Sequence, residues 1–313
     1  MKKIIAEKGT VLPEDCSEMF RNMIQLESVD LSNADSSKVK DMSLMFRNCK
    51  NLTELNISGF DTSNVTNMAE MFNGCESLKA VDVSGFDTSK VTAMNAMFSG
   101  CGSLEALDVS GFDTSNVTNM SALFMDCQKI AELDLRKWNT ANVTDMQQMF
   151  MNCYALKELD LSAFDTAGVK DFTAMFSDTR MLETVYASEK WSTAAVEKDD
   201  LMFYNSAVTG GNGTKVDSKH HGSEYARIDT ADAPGYFTAK TAEPVIINGD
   251  TDGDGEIGNR DAMLLIRYVN GWEGIELDLT AADIDGDGEI GNRDAMILIR
   301  YVNGWEGYDK YFQ

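Results

Sequence analysis

The chain has 313 residues and a formal net charge of −24, from 51 acidic and 27 basic side chains. A surface this acidic argues against nucleic acid and against anionic membrane as partners. The length is enough for two domains, and no apolar run is long enough to span a bilayer.

Most of the chain up to residue 206 repeats itself every 26 residues. A Met-Phe or Leu-Phe pair marks each repeat, ending at Phe20, Phe46, Phe72, Phe98, Phe124, Phe150, Phe176 and, with one residue inserted, Phe203. Self-similarity at a fixed period predicts a solenoid, because each unit can bury its apolar face only against its neighbours.

One repeat can be interpreted residue by residue. Its apolar residues fall at helical spacing and form a single stripe, namely Val65, Met68, Met71, Phe72 and Cys75. Polar residues 61–64 precede the stripe and are of the types that cap a helix start. Alternation at Val81 and Val83 then predicts a short strand. We therefore predict an α/β solenoid of 26-residue leucine-rich-type repeats, with parallel strands on one face.

Five of the six cysteines recur at the period, and only Cys16 falls outside the column. Stacked side chains point the same way into the core, where cysteine behaves as a small hydrophobe. We predict that all six thiols are free and buried.

A column of polar residues lies between the inward-facing apolar residues of successive strands and must point outward. It consists of Asp30, Asn56, Asp82, Asp108, Asp134 and Asp160. One interpretation is a solvated strand face whose acids hydrogen-bond the local backbone. The other is a recognition face for a cationic protein or peptide.

The repeat pattern NVTNMxxMFxxCxxLxxLDLSxFDTS resembles the repeats of BspA-like and mycoplasma-lipoprotein-type leucine-rich surface proteins. Segments at 210–214, 225–229 and 234–238 resemble the piece that often closes such arrays. We expect the solenoid at 1–206, its cap at 207–240, and a linker at 241–247.

Candidates for catalysis are poor. The only histidines, His220 and His221, are adjacent, which suits neither a helical metal-ligand pair nor a base with its orienting acid. We interpret them as solvated loop residues and predict that the chain is not an enzyme. The remaining alternative is an active site that does not show in the sequence.

Two loops near the C-terminus are nearly identical and lie 33 residues apart. Each places carboxylates at positions 1, 3, 5 and 12, with glycine at position 6 and a helix-like segment after it. Hard oxygen donors from alternate residues of a tight loop are what Ca²⁺ requires, so we predict two bound Ca²⁺ ions. The candidate ligands are Asp250, Asp252, Asp254, Glu256 and Asp261 in the first loop and Asp283, Asp285, Asp287, Glu289 and Asp294 in the second.

A duplicated loop-plus-helix unit with Asp at position 12 resembles the dockerin module, here at 248–313. The resemblance implies a small all-α module with two EF-hand-like Ca²⁺ loops, which docks onto a cohesin domain of a scaffold protein. It also implies cohesin contacts at positions 10, 11 and 18 of each copy, which are Asn259, Arg260, Arg267, Asn292, Arg293 and Arg300. The Asn-Arg pair replaces the frequent Ser-Thr pair, which leaves the cohesin class open.

Together these features predict a secreted, non-catalytic component of a cellulosome-type complex. Its solenoid presents a surface to an unknown protein or glycan, while the dockerin attaches it to a scaffold or cell surface. The alternative is a surface adhesin that binds host, cell or polysaccharide and is anchored through its dockerin. Residues 1–6 lack the apolar core of a signal peptide, so we expect that a native leader is missing from this chain.

Overall fold

The computed structural model describes residues 1–240, 248–252, 256–272, 274–275 and 277–312. The chain divides into two units, Met1–Lys240 and Thr241–Gln313. The predicted linker at 241–247 lies outside the described residues.

The strand predicted at Val81 and Val83 is wrong, because the middle coils of the first unit have only an isolated bridge there, between Ala80 and Ala106. Short parallel strands lie at the same position of the coils towards either end of the unit. They form two three-stranded sheets, β1 (Lys3–Ile5), β2 (Ser28–Asp30) and β3 (Glu54–Asn56), then β4 (Glu158–Asp160), β5 (Thr184–Ala187) and β6 (Thr238–Ala239). Val29 lies opposite Leu55 and Leu159 opposite Val185, so these paired residues are 26 positions apart. The unit is a repeat solenoid with parallel strands, as predicted.

The predicted helix in each repeat is wrong. Residues 65–75 form a run of turns, and the described part of the first unit contains no α-helix. The amide of Phe72 donates to the carbonyl of Met97 in the next coil at 2.9 Å, whereas that of Met71 donates back to Met68 at 3.3 Å. Amides therefore alternate between the coil itself and its neighbour, which is incompatible with the regular i→i−4 bonding of a helix.

Left-handed backbone at two positions per coil interrupts any helix. In the coil just described these positions are Glu70, with φ 57°, and Gly74, with φ 72°. The other coils repeat the pair, mostly at non-glycine residues: Glu18, Asn22, Leu44, Asn48, Ala96, Ala122, Asp126, Gln148, Asn152, Ala174, Asp178, Leu201 and Asn205. The apolar stripe wrongly predicted a helix because apolar residues three apart fit turns closed by i→i−3 hydrogen bonds as well as they fit a helix.

Threonines expected to cap helices instead join adjacent coils. The Thr62 hydroxyl donates to the carbonyl of Asp87 at 3.0 Å and accepts from the Asp87 amide at 2.8 Å. Thr114 makes the same two contacts with Asn139 at 2.8 Å each. Each threonine thereby satisfies a donor and an acceptor of a neighbouring coil while being almost fully buried.

The core is built from columns of identical side chains. Phenylalanine rings stack along the solenoid with centroids 5.2 Å apart at Phe20–Phe46 and 5.9 Å apart at Phe124–Phe150. Every cysteine is free and buried. In the column the thiol of Cys101 donates to the carbonyl of Phe72, 3.2 Å away in the preceding coil, so the thiols are part of the packing.

Aromatic residues from 207–240 cover the last coil of the core. The Phe237 ring lies 4.8 Å from Trp191, and the Tyr236 ring lies 5.0 Å from Phe203. The buried carboxylate of Asp229 holds this segment in shape, because it accepts the amide of Asn212 at 2.9 Å and other donors nearby.

The second unit is helical. It contains α1 (Asn259–Val269), the short α2 (Leu279–Ala282) and α3 (Asn292–Val302). Buried Leu265 of α1 and Leu298 of α3 belong to one apolar core, and each of these helices directly follows one predicted loop.

Replacing Ala122 with glycine is expected to raise the free energy of unfolding by about 1 kcal/mol. Ala122 has φ 53°, and an alanine pays a steric cost in this region that glycine avoids. Urea unfolding of the full-length protein in Ca²⁺ measures the change. Exposed Ala131, whose φ is not positive, is the control, and Ala131→Gly should leave stability unchanged or slightly lower. A loss at Ala122 of the size expected within a helix would contradict the turn structure.

The native protein should resist thiol reagents under non-reducing conditions, and denaturation without reductant should release close to six thiols. Burial raises the pKa of Cys101 to about 12 and that of Cys16 to about 11, so neither forms a reactive thiolate near neutral pH. Titration with a chromogenic disulfide before and after denaturation gives the count. A count of four or fewer after denaturation would mean that cysteines of the column are paired.

Candidate functional site

The second loop gathers three carboxylates at one point. Ligand oxygens of Asp283, Asp285 and Asp287 all lie within 4.8 Å of one another. The loop backbone fixes this arrangement, because Asp283 accepts the amides of Gly286 at 3.0 Å and Gly288 at 2.9 Å. Both glycines have positive φ, which lets the chain turn tightly around the carboxylates.

The first loop gathers a different set of three. Oxygens of Asp250, Asp252 and Asp261 lie within 4.8 Å of one another, and Asp250 and Asp261 are buried. The predicted ligand Asp254 lies outside the described residues.

The position-12 acids also organise their loops. Asp261 and Asp294 are each only 1% exposed. One oxygen of Asp294 accepts the amides of Ile284 at 2.9 Å and Asp285 at 3.2 Å, and the other accepts that of Gly291 at 2.9 Å. Asp261 accepts the corresponding three amides of the first loop. Each acid therefore joins the start of its loop to the start of the helix that follows.

Calcium fits these donor sets. Carboxylate oxygens are its preferred ligands, and three of them this close together repel one another unless a cation lies between or beside them. The described clusters do not contain the carboxylates of Glu256, Glu289 or Asp294, and Ca²⁺ ligation by any of the predicted side chains stays a prediction.

The predicted partner-contact residues separate into two groups. Arg260 and Arg293 reach back to the loops, where their Nε atoms lie 3.0 Å from Asp252 and 2.9 Å from Asp285. Both arginine side chains remain largely exposed. Asn259 and Asn292 are exposed at the first positions of α1 and α3.

Arg267 and Arg300 lie at the far ends of the same helices. Each guanidinium lies over an exposed tryptophan, with Arg267 5.3 Å from the Trp272 ring and Arg300 5.4 Å from the Trp305 ring. The arginines at positions 11 and 18 of each copy therefore lie at the two ends of one helix face, since residues seven apart on a helix return to the same side.

Sequence reasoning missed the apolar part of these faces. Met263 is 50% exposed and Trp272 is 62% exposed, while Met296 and Trp305 are the corresponding residues of the second copy at 45% and 59%. Large apolar side chains that flank arginines on a helix face are typical of protein interfaces. The available signal was methionine at i+3 from Arg260 and Arg293, on a helix whose other face forms the core.

The acids of the strand-face column bind their own backbone. In each case a side-chain oxygen accepts the amide two residues further on, for example that of Ser84 by Asp82 at 3.1 Å. The same contact is made by Asp30, Asn56, Asp108, Asp134 and Asp160. Hydrogen bonds from Ser84 lower the pKa of Asp82, and the Arg136 side chain lowers that of Asp134 to about 2. These groups stay ionised, yet much of their hydrogen-bonding capacity is already used.

A groove at the cap end of the solenoid, unlike the strand-face column, is lined by several polar side chains that have no hydrogen-bond partner among the residues that the structure describes. Its volume is about 660 Å³, and it is lined by Glu183, Thr184, Tyr186, Ala207, Thr209, Gly210, Gly211, Lys215 and Thr238. Within the described part of the chain, the side chains of Glu183, Lys215, Thr184 and Thr238 make no hydrogen bond or ion pair. The groove thus concentrates uncommitted polar groups of both charges.

The histidines are not simply solvated loop residues. Nδ1 of His220 lies 2.9 Å from the Asp217 carboxylate, and its ring lies 4.7 Å from that of Tyr225. His221 is half-buried, with its ring 5.6 Å from Tyr204. Contacts within the cap segment, which spacing along the sequence does not show, pair His220 with Asp217.

Comparison with known proteins assigns both units. The family described as "Mycoplasma protein of unknown function, DUF285" matches residues 14–130 and 103–216, which together exceed half of the chain. A dockerin type I domain matches residues 248–303. No curated protein matches the chain.

Among solved structures, a leucine-rich repeat protein from Bacteroides ovatus ATCC 8483 is similar over 62% of this chain and 68% of its own, with 14% identity and a TM-score of 0.23. None of the described helices is long and apolar enough to cross a membrane. The chain therefore belongs to the DUF285 family of repeat proteins and carries a dockerin type I domain at its C-terminus.

Proposed function

We propose that the chain is a secreted, non-catalytic component of a cellulosome-type assembly. Its dockerin binds a cohesin domain on a scaffold protein in a Ca²⁺-dependent manner, and its repeat domain presents a protein-interaction surface. In this proposal residues 1–206 form the 26-residue-repeat solenoid, 207–240 its cap, and 248–313 the dockerin.

One observation carries the proposal. Within a region that matches the dockerin type I family, two near-identical loops each cluster three carboxylates at the start of an exposed helix. The two loops would act as EF-hand-like sites for two Ca²⁺ ions. Asp250, Asp252, Asp254 and Asp261 would hold one ion and Asp283, Asp285, Asp287 and Asp294 the other, with Glu256 and Glu289 beside them.

The ion would supply positive charge that lets the loop carboxylates remain close together. Each loop leads into α1 or α3, so fixing the loops fixes the helix faces that carry Asn259, Arg260 and Arg267 and their counterparts. Cohesin binding would then depend on calcium because the helix faces depend on it.

For the repeat domain we propose that the groove beside β5 and β6 is the protein-binding site, in preference to the strand-face column. Column acids already bond their own backbone, whereas the groove offers a free carboxylate, a free ammonium group and free hydroxyls. A polar peptide segment supplies the complementary groups to such a surface. A glycan ligand at this groove would instead support the adhesin alternative.

Asp250→Ala combined with Asp283→Ala is expected to abolish cohesin binding, with a loss of at least about 100-fold, since each substitution removes a loop ligand. Isothermal titration of the full-length protein with a panel of type I cohesins, in Ca²⁺ and in EDTA, measures this. Asp82→Asn with Asp108→Asn removes the same number of acids from the repeat domain and should change nothing. Cohesin binding that persists undiminished in EDTA would overturn the calcium-dependent proposal.

Glu183→Lys combined with Lys215→Glu is expected to abolish partner capture by the repeat domain, because it reverses both charges of the groove. The background is the full chain with Asp250→Ala and Asp283→Ala, which silences the dockerin. Capture from extracellular protein mixtures and binding to a glycan array are measured in parallel. Lys38→Glu, an exposed lysine outside the groove, is the control. Loss on Asp82→Asn/Asp108→Asn, with the groove variant unaffected, would return the site to the strand face.

A further inference from the structure

The two dockerin faces are almost identical in sequence. Residues 252–274 and 285–307 differ only at Leu264 against Ile297. The first position after these copies differs strongly, because Ile275 in the first corresponds to Tyr308 in the second. Two equal faces would allow a cohesin to bind either one, so any structural difference between them decides which is used.

Tyr308 engages the key arginine of one face only. Its hydroxyl accepts a hydrogen bond from the Arg300 guanidinium, and its ring centroid lies 5.4 Å from Cζ of Arg300. Arg300 is thereby held between Tyr308 and Trp305. Among the described residues, the equivalent Arg267 lies over Trp272 only, and the side chain of the isoleucine at position 275 has no atom that could accept from it.

The residues after Tyr308 extend this difference. Phe312 stacks on Tyr301 of α3 with ring centroids 4.1 Å apart. The carbonyl of Tyr311 accepts from Asn248 Nδ2 at 2.7 Å, which holds the C-terminal segment in place. In α1 the residue corresponding to Tyr301 is Tyr268, and it is 37% exposed.

Ile299 of α3 packs against the unit's core, as does Phe312, whereas the corresponding Ile266 of α1 does not. The C-terminal segment therefore covers part of α3 and leaves the same part of α1 open. A partner approaching α1 meets an arginine whose donors are uncommitted to a tyrosine and an apolar surface that is more accessible.

We infer that the two faces are unequal and that cohesin binds preferentially through the α1 face, defined as Asn259, Arg260, Met263, Arg267 and Trp272. Tyr308 is the residue that sets this preference. The inference rests on the proposed cohesin binding. A cohesin carboxylate that approaches Nη1 of Arg300 competes with the tyrosine hydroxyl, whereas Arg267 has no such competitor in the described part of the unit. The favoured partner is thus a cohesin surface that pairs a carboxylate with an apolar patch.

The test compares matched single variants of the full-length protein by isothermal titration in Ca²⁺, with a type I cohesin that binds the wild type. Arg267→Ala should weaken binding about tenfold or more, as expected for a central charged contact. Arg300→Ala should weaken it no more than about twofold, which is the loss of one of two equal modes. Both arginines lie at the helix ends away from the loops, so Ca²⁺ binding should be the same in the two variants.

Tyr308→Ile copies the residue of the first face and should make the faces equivalent. In that background Arg267→Ala should cost only about twofold. Tyr308→Phe removes only the hydroxyl, and should restore part of the second mode even if the isoleucine variant folds poorly.

Equal effects of Arg267→Ala and Arg300→Ala in the wild-type background would overturn the inference while leaving cohesin binding intact. A larger effect at Arg300 would mean that Tyr308 pre-orients its arginine for binding, which reverses the preference. Failure of the wild type to bind any type I cohesin in Ca²⁺ would overturn the proposed function itself.

Discussion

The repeat domain depends on backbone hydrogen bonds that pass from one coil to the next. A coil made of turns cannot satisfy all of its own amides, so amides such as that of Phe72 must find a carbonyl in the following coil. Coils must then stack in register, which puts equivalent residues in contact with one another. The phenylalanine stack, the cysteine column and the bridging threonines all follow, since each position must accept a copy of itself 26 residues later. A cysteine suits its column because it is small and can donate to a carbonyl of the preceding coil.

Periodicity was sufficient to predict the solenoid, its buried columns and its free thiols, because these depend only on which residues recur. It could not predict the local backbone. The left-handed conformation occurs at Glu70, Ala96 and Gln148, none of which is a residue type that signals it. Stacking between coils stabilises the conformation there, and that contribution is invisible within a single repeat. A leucine-rich-type helix and a run of turns therefore share one apolar pattern.

The candidate calcium loops, unlike the backbone of the coils, could be predicted from local sequence. Their ligands come from neighbouring residues, so spacing alone specifies the chemistry. Contacts from outside each loop were not predictable. The positions of Arg260 on Asp252 and of Tyr308 on Arg300 depend on how helices and the C-terminal segment pack. Exposure of Met263 and Trp272 likewise became evident only when the opposite side of α1 was seen to form the core.

The two units place their many carboxylates differently. In the repeat domain the acids of the strand-face column lie one to a coil, and each accepts a local amide, as Asp82 does from Ser84. Residues 245–313 carry 15 acidic and 5 basic side chains, and they concentrate carboxylates in two loops instead. Backbone amides bond all four described aspartates of the second loop, Asp283, Asp285, Asp287 and Asp294, but amides carry no net charge and cannot neutralise three carboxylates that meet within 4.8 Å. The strand-face column, whose carboxylates are hydrogen-bonded to local amides, would keep its surface unchanged whether or not calcium is present. The proposed calcium loops would not, and this difference would make attachment to a scaffold, and not ligand recognition by the repeats, the calcium-controlled step.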